Sequence, residues 1–289
     1  MTVARRHVAI PWPRSPGPAL ALSAAVFAVP LAFVLLIPHP LEQPFGVDFT
    51  LYRDVAARWL AGGPYFEPYQ LAGPYEIRAG DVLYPPVALW LFVPFAWLAE
   101  PAAWVLWWGL PIAAVGFAIW RLRPVAASWP LIALCIAWPT TLLKTWTGNP
   151  VIWCVAALAL GTLWAWPSVF VALKTSLAPF ALFGVWRRSW WVAAAVLVVL
   201  SVPFGSLWAD WITSIVNSRG GGLLYSSLEA PMLLLPLVAW AGRTREGVTW
   251  PWRRPAFLAR AENTSTESDS AVVAHNRNDV DNPAASGVE

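Results

Sequence analysis

Asp48 and Lys174 are the two ionisable side chains whose surroundings in the sequence best suit chemistry. Asp48 stands in Val47-Asp48-Phe49, just past a long apolar run and at the start of an amphipathic stretch. A carboxylate there can act as a general base toward the hydroxyl of a bound acceptor. It can equally cap the following helix by accepting its first backbone N–H groups, a job Thr50 could also do. Spacing alone leaves both roles open. Lys174 interrupts the apolar stretch from Val171 to Pro179. An ammonium in such a run is costly and by default points to function. Near a membrane face it could hold a phosphate as a point charge, or snorkel to the headgroups.

Other polar residues are weaker candidates. Lys144 and Asn149 fall in the loop-like Lys144-Thr145-Trp146-Thr147-Gly148-Asn149-Pro150. A second loop reads as holding Asp210, Asn217, Arg219, Gly220-Gly221-Gly222 and Tyr225. Arg219 could meet a phosphate there, but the glycines form no phosphate-binding fingerprint because no strand precedes them. Asp54 reads as solvated and His39 as interfacial. Cys135 and Cys154 lie in apolar runs without Cys-x-x-Cys spacing, which fits buried free thiols rather than a metal or redox site.

The elements that must position these residues are helices in lipid. Of 289 residues, 58% are hydrophobic and 12% charged, against about 25% charged in soluble domains. This composition predicts an all-α polytopic transmembrane bundle. The 22 Trp suit lipid–water boundaries, and the 28 Pro suit span ends and kinks. A net charge of +3, with basic residues in short loops, gives no case for nucleic acid.

Residues 1–18, with Arg5, Arg6 and Arg14, read as a cytoplasmic lead-in, and the run from Ala19 to Ile37 as the first span. An outer loop over 38–85 follows. Within it, apolar residues at helical spacing over 50–61 predict an amphipathic surface helix, stopped by Gly62-Gly63-Pro64. Apolar runs resume at 86–99, 103–120, 130–143, 150–165, 167–186, 190–208 and 223–241. The reading is about eight spans, some broken or re-entrant because several fall short of the roughly 20 residues a crossing needs. Counting every run as a crossing leaves Arg121 and Arg123 outside, against the positive-inside rule. Making one run re-entrant moves them inside and Asn149 outside. Residues 242–289 read as a cytoplasmic, mostly disordered tail.

The order of short motifs carries a resemblance. One span, then Asp48-Phe49-Thr50-Leu51-Tyr52, then Gly62-Gly63-Pro64-Tyr65, then Tyr84-Pro85-Pro86 opening the next run resembles the C-fold (GT-C) membrane glycosyltransferases. The likeness is nearest to the envelope mannosyl- and arabinofuranosyltransferases that use polyprenyl-phosphate sugars. Gly148-Asn149 resembles a Gly-Gln/Asn element of that family. Leu173-Lys174, Pro179 and Arg187-Arg188-Ser189-Trp190 resemble its lysine-containing span.

The resemblance covers roughly 20–240 and implies an inverting transfer from a polyprenyl-phosphate sugar to an envelope lipid or glycan. The active face would be extracytoplasmic, at the plasma membrane. Asp48 would be the catalytic base, and Lys174, Tyr52, Tyr84, Asn149 and Arg219 would bind substrate. Phosphate leaves readily, so no cofactor or metal is strictly required. Members of the family often carry further spans that this sequence lacks. The competing expectation is a non-catalytic polyprenyl-lipid-binding protein, such as a flippase or assembly subunit. A transporter has no support from internal repeats.

Overall fold

A computed structural model of the chain describes residues 16–36, 43–78, 80–219 and 229–244. The chain divides into two units, 1–248 and 249–289, and the second lies outside the described residues. Also outside them lie His39, Gly220–Gly222, Tyr225 and the arginines of the N-terminal segment. Twelve α-helices and several 3-10 turns make up the described residues, with no strand among them beyond two isolated bridges.

Three described helices are long and apolar enough to cross a membrane. They are α1 (Pro16–Leu36), α5 (Glu100–Leu122) and the continuous rod Arg188–Asn217, built from α10 (Arg188–Ser201) and α11 (Gly205–Asn217). A fourth span arises if α6 (Trp129–Ala137) and α7 (Pro139–Thr147) count as one, bent by 53°. The bend has a local cause: Pro139 excludes helical backbone at the residue before it, and Trp138 is extended in ψ at 132°. The remaining apolar runs are shorter helices. They are α4 (Leu89–Trp97, with a 3-10 turn before it), α8 (Val151–Trp164) and α12 (Ala230–Ala241).

The run expected over 167–186 is not one helix. It is a 3-10 segment (Trp166–Leu173), a second turn (Thr175–Leu177) and the four-residue α9 (Ala178–Ala181). Asp210 and Asn217, expected in a loop, lie instead in α11, and Lys144 lies in α7.

The core forms around α8. Nine of its fourteen residues are buried, and the less buried Trp153, Ala157 and Leu160 share one stripe that lines an apolar groove. The helix packs between α5, α12 and the 3-10 segment that runs back along it. Gly161 permits that return, since a Cβ there would lie 2.7 Å from Ser168 Cβ.

α2 (Val47–Leu60) is the amphipathic helix expected in the loop over 38–85. Phe49, Tyr52, Val55 and Ala56 turn its apolar face onto α4, while Asp54 points outward, exposed. Gly62 ends it with a positive φ of 83°, and Gly63 N–H closes the last turn onto Arg58 O. Arg53 donates to the carbonyls of Phe95 and Leu98, capping the end of α4.

Two ends of the bundle differ in kind. α8 begins at Asn149-Pro150 and runs roughly 21 Å at 1.5 Å per residue. Beyond its far end, Ser189 donates to Trp164 O and Phe117 stacks on Trp164. The bridge between Pro124 and Arg243 lies in the same direction, at the end of α5 and of α12. Arg121, Arg123, Arg187, Arg188 and Arg243 therefore gather at one end. The other end holds Asp48, Asn149 and the outer loop, where Tyr75 pairs with Ser218 past the end of α11.

Candidate active site

Asp48 sits in the first turn of α2, but it does not cap the helix. Gly46 is the N-cap residue, in the left-handed region at φ 72°, and no side chain caps the end. The carboxylate is turned instead to the α7–α8 junction. Its Oδ2 accepts from Thr147 Oγ1 at 2.9 Å and from Asn149 Nδ2 at 2.8 Å. Its Oδ1 has no hydrogen bond to a described residue, and the side chain is half-buried. One oxygen is thus fixed and the other has no hydrogen bond among the described residues.

The junction is built to present those two donors. Gly148 ends α7 at φ 70°, and the Asn149 N–H returns to Lys144 O at 2.9 Å. A Cβ at Gly148 would lie 2.7 Å from Trp108 Cζ2 and 2.9 Å from Phe49 Cβ, so glycine is required for the close approach as well as for φ. Trp107 donates to Gly148 O at 2.8 Å, and Trp108 to Thr145 O at 2.7 Å. On the Asp48 side, Gly46 N–H bonds Trp146 O at 3.0 Å, and Trp146 Nε1 donates to Gln43 O at 3.0 Å. Phe45 stacks on Trp104 and Trp108, which are themselves parallel within 4°. These aromatic residues pin the loop before Asp48 to α5 and α7.

Behind Asn149 the network runs inward. Its Oδ1 accepts from Tyr84 Oη at 3.2 Å, from Val151 N–H at 3.1 Å and from Lys174 Nζ at 3.4 Å. Three donors on that oxygen force the amide's NH2 toward Asp48, which fixes its orientation by hydrogen-bond logic. Lys174 Nζ also donates to Tyr84 Oη at 3.0 Å.

Asp48 and Lys174 are separated by one side-chain amide, well inside the reach of a sugar phosphate. Yet Lys174 is not at a membrane face: it is 2% exposed, at the break between two 3-10 turns. Snorkelling is ruled out by that burial, and so is direct phosphate contact by an open ammonium.

The counter-ion is Glu229, which sequence reasoning missed. Its Oε2 lies 2.5 Å from Lys174 Nζ and its Oε1 3.4 Å from Lys144 Nζ. Glu229 is 2% exposed, so the two form a buried ion pair. Lys144 keeps 29% of its side chain exposed. Thr147 was also missed, hidden as one more polar residue of a presumed loop.

An apolar groove opens from this cluster. Its cavity of ≈ 540 Å³ is bounded by Tyr84 and Pro150 at one end and by Trp166 and Pro167 at the other, with Trp153 and Leu197 between. Tyr84 belongs to both the groove and the polar network.

The chain is similar to the polyprenol-phosphate-mannose-dependent alpha-(1-2)-phosphatidylinositol mannoside mannosyltransferase of Mycobacterium tuberculosis (strain ATCC 25618 / H37Rv). The two are 32% identical over 137 residues, covering 44% of this chain. The aligned part is 28% of that curated relative, so the chain matches well under half of its length. The similarity supports the resemblance to lipid-dependent mannosyltransferases drawn from the motifs. No protein-family model matches the chain, and no solved structure matches it.

The remaining predicted site residues divide. Tyr52 is buried and stacks on Phe92 at 4.7 Å, with its ring edge against Tyr84 at 5.1 Å, so it supports Tyr84 from behind. Arg219 is exposed, its N–H bonded to Tyr75 O, and its side chain contacts none of the cluster. At the rim, Tyr69 donates a very short hydrogen bond to Asp81, and Arg78 lies over its ring. Desolvation, then the bond to Asp81 and its negative charge, push the Tyr69 phenol up to about 12. Cys135 and Cys154 are both free thiols, and Cys154 is buried. No cluster of metal-ligating side chains occurs among the described residues.

Proposed function

We propose that the chain transfers a sugar, mannose in the first instance, from a polyprenyl-phosphate donor to a hydroxyl of an envelope lipid or glycan, with inversion. The observation that carries this reading is Asp48: one oxygen held by Thr147 and Asn149, the other without a hydrogen bond to a described residue, and Asn149 joined in turn to Tyr84, which lines an apolar groove. The relative's name supports the donor class, and its phosphatidylinositol mannoside acceptor is the first acceptor to test. The lipid tail lies in the groove and its phosphate near Tyr84 and Lys144. Asp48 Oδ1 takes the acceptor's hydroxyl proton, the oxygen attacks the anomeric carbon from the opposite face, and the bond to the phosphate oxygen breaks. A positioned base is worth about 10²–10⁴-fold.

The same contacts support a topology. Asp48 and Asn149 touch, so they share one membrane face and an even number of crossings lies between them. α4 is the run that does not cross: Tyr84 before it reaches Asn149, and Phe95 near its end packs on Phe49. Arg121 and Arg123 then fall on the inner side, as the charge rule asks. The 167–186 run likewise returns toward Asn149 at Lys174 before descending to Arg187. Eight apolar runs thereby make six crossings, with Asp48 on the extracytoplasmic face of the plasma membrane.

The test is transfer of labelled sugar from a polyprenyl-phosphate donor in reconstituted membranes. Asp48→Asn should lower the rate at least about 10²-fold with unchanged yield and unfolding temperature. Full activity in that variant rejects Asp48 as the base, whereas a native protein that binds the donor but transfers no sugar rejects the enzyme reading in favour of lipid binding alone. For topology, Arg123→Cys and Arg219→Cys, in a background lacking Cys135 and Cys154, should be labelled by an impermeant maleimide from opposite sides. Labelling from the same side rejects the six-crossing arrangement.

A further inference from the structure

The donor phosphate has to be held somewhere, and the lysine that the sequence offers for it already has a carboxylate. Lys174 is enclosed by Tyr84, Asn149 and Glu229. Glu229 spans two ammoniums, with Oε1 toward Lys144 and Oε2 toward Lys174. Two cations and one anion leave the triad at +1. A buried carboxylate is expensive, and replacing such a pair by apolar groups is often neutral or stabilising. Stability alone is therefore a poor reason for Glu229.

The reaction proposed above supplies another reason. Its lipid substrate is a phosphodiester with a single negative charge. Its lipid product is a phosphomonoester, whose second proton leaves near pH 6 by analogy with a phosphorylated side chain. When the anomeric C–O bond breaks, the electron pair stays on the phosphate and the acceptor proton sits on Asp48. The lipid gains one negative charge as Asp48 loses one, so total charge is conserved while the anion beside the triad doubles its charge.

We infer that Glu229 sets the charge of the phosphate subsite, so that the Lys144–Glu229–Lys174 triad matches a singly charged phosphodiester and gives little extra hold on the doubly charged phosphomonoester. Lys144, partly exposed, meets the phosphate directly. Lys174 acts from one layer behind, through Glu229. Glu229 is thus a specificity-determining residue that favours release of the lipid product. The inference rests on the lipid-phosphate donor reading, and its test separates the two.

Three probes with one polyprenyl tail are compared for binding in neutral nanodiscs: the alcohol, the methyl phosphodiester and the phosphomonoester. Removing one negative charge changes affinity in proportion to the ligand's charge. At pH 8, Glu229→Gln should leave the alcohol unchanged, tighten the diester about tenfold and tighten the monoester about a hundredfold. At pH 5 the monoester's gain should fall to the diester's. Lys144→Gln, at a partly exposed position, should weaken the two phosphates in the same one-to-two ratio on a logarithmic scale. This second variant keeps the test decisive if Glu229→Gln fails to fold. Equal shifts for diester and monoester, or a gain independent of pH, overturn the role of Glu229 while leaving the donor reading intact. If the native protein binds neither phosphate better than the alcohol, both fall.

Discussion

The two ends of α8 handle charge in opposite ways. At the end that starts with Asn149, Lys174 and Glu229 are each 2% exposed and are wired through Tyr84 and Asn149 to Asp48. At the other end, Arg121, Arg123 and Arg188 are exposed, while Arg243 is the exception, covered against the Trp240 ring and bonded to that residue's carbonyl. Arginines left at the surface cost little and can meet water or lipid headgroups. A lysine and a glutamate buried together carry a desolvation cost of several kcal/mol each, which their attraction repays only with good geometry. If the proposed function holds, the contrast separates residues that orient the chain in the membrane from residues held for chemistry.

The largest expected effect tests that separation directly. Lys174→Met should destabilise the protein by up to about 3–5 kcal/mol, because it leaves the buried Glu229 with only the partly exposed Lys144 at 3.4 Å. Transfer should be lost as well, since Asn149 and Tyr84 lose a donor. Arg188→Gln, at the exposed end, should stay within about 0.5 kcal/mol. Adding Glu229→Leu to Lys174→Met should recover most of the stability without recovering transfer. Thermal unfolding in detergent together with the transfer assay checks all three variants. If Arg188→Gln costs as much as Lys174→Met, the two ends are not different in kind.

A smaller effect is expected from backbone alone. Gly148→Ala places a Cβ 2.7 Å from Trp108 Cζ2 at φ 70°. Left-handed backbone costs a non-glycine residue roughly 1–2 kcal/mol, and crowding adds to it. Asn149 and Thr147 should shift away from Asp48, so the maximal rate should fall more than the donor's KM changes. Gly116→Ala is the matched control on α5, where the new Cβ meets nothing within 4 Å. It should be neutral or stabilising by up to about 1 kcal/mol. Equal losses at the two glycines would show that the junction has no special demand.

How much of this was legible before the coordinates follows from what each residue's neighbours in sequence reveal. Asp48 announced itself by standing alone between an apolar run and an amphipathic one, and periodicity placed a helix over 50–61 where the structure has one from Val47 to Leu60. Lys174 was legible as a charge in an apolar run, but its burial was not, because the break between 3-10 turns that tucks it inward has no sequence signature. Glu229 should have been found by the same reasoning as Lys174. It lies within the apolar run assigned to 223–241, where an acid is equally costly. It passed unnoticed as the residue before Ala230-Pro231, an ordinary helix start. Asn149 was legible as a substrate-binding candidate through the Gly148-Asn149 resemblance and Thr147 was not, and the contacts of both with Asp48 at 2.8–2.9 Å pair residues about a hundred apart, which no local pattern encodes. The 167–186 run misled because hydropathy counts apolar residues, not whether they form one helix.

The smallest effect lies at the wet rim of the site end, where a polar contact is neither buried nor part of the relay. Tyr69 bonds Asp81, and its phenol is held up to about 12 against an ordinary 10.0. The folded state therefore keeps this proton more tightly than the unfolded chain does. Its contribution to stability is complete below pH 10 and is lost as pH rises from 10 through 12. Tyr69→Phe should remove that alkaline slope, while transfer at pH 7 stays at the native level. Comparing unfolding temperatures of the two proteins between pH 8 and 12 reads the difference, and absorbance of phenolate gives the ionisation itself. Because Tyr69 is only partly covered, the slope it removes should be slight beside the loss at Lys174. A large loss of activity at pH 7 would instead extend the functional network outward from Asn149 to the rim.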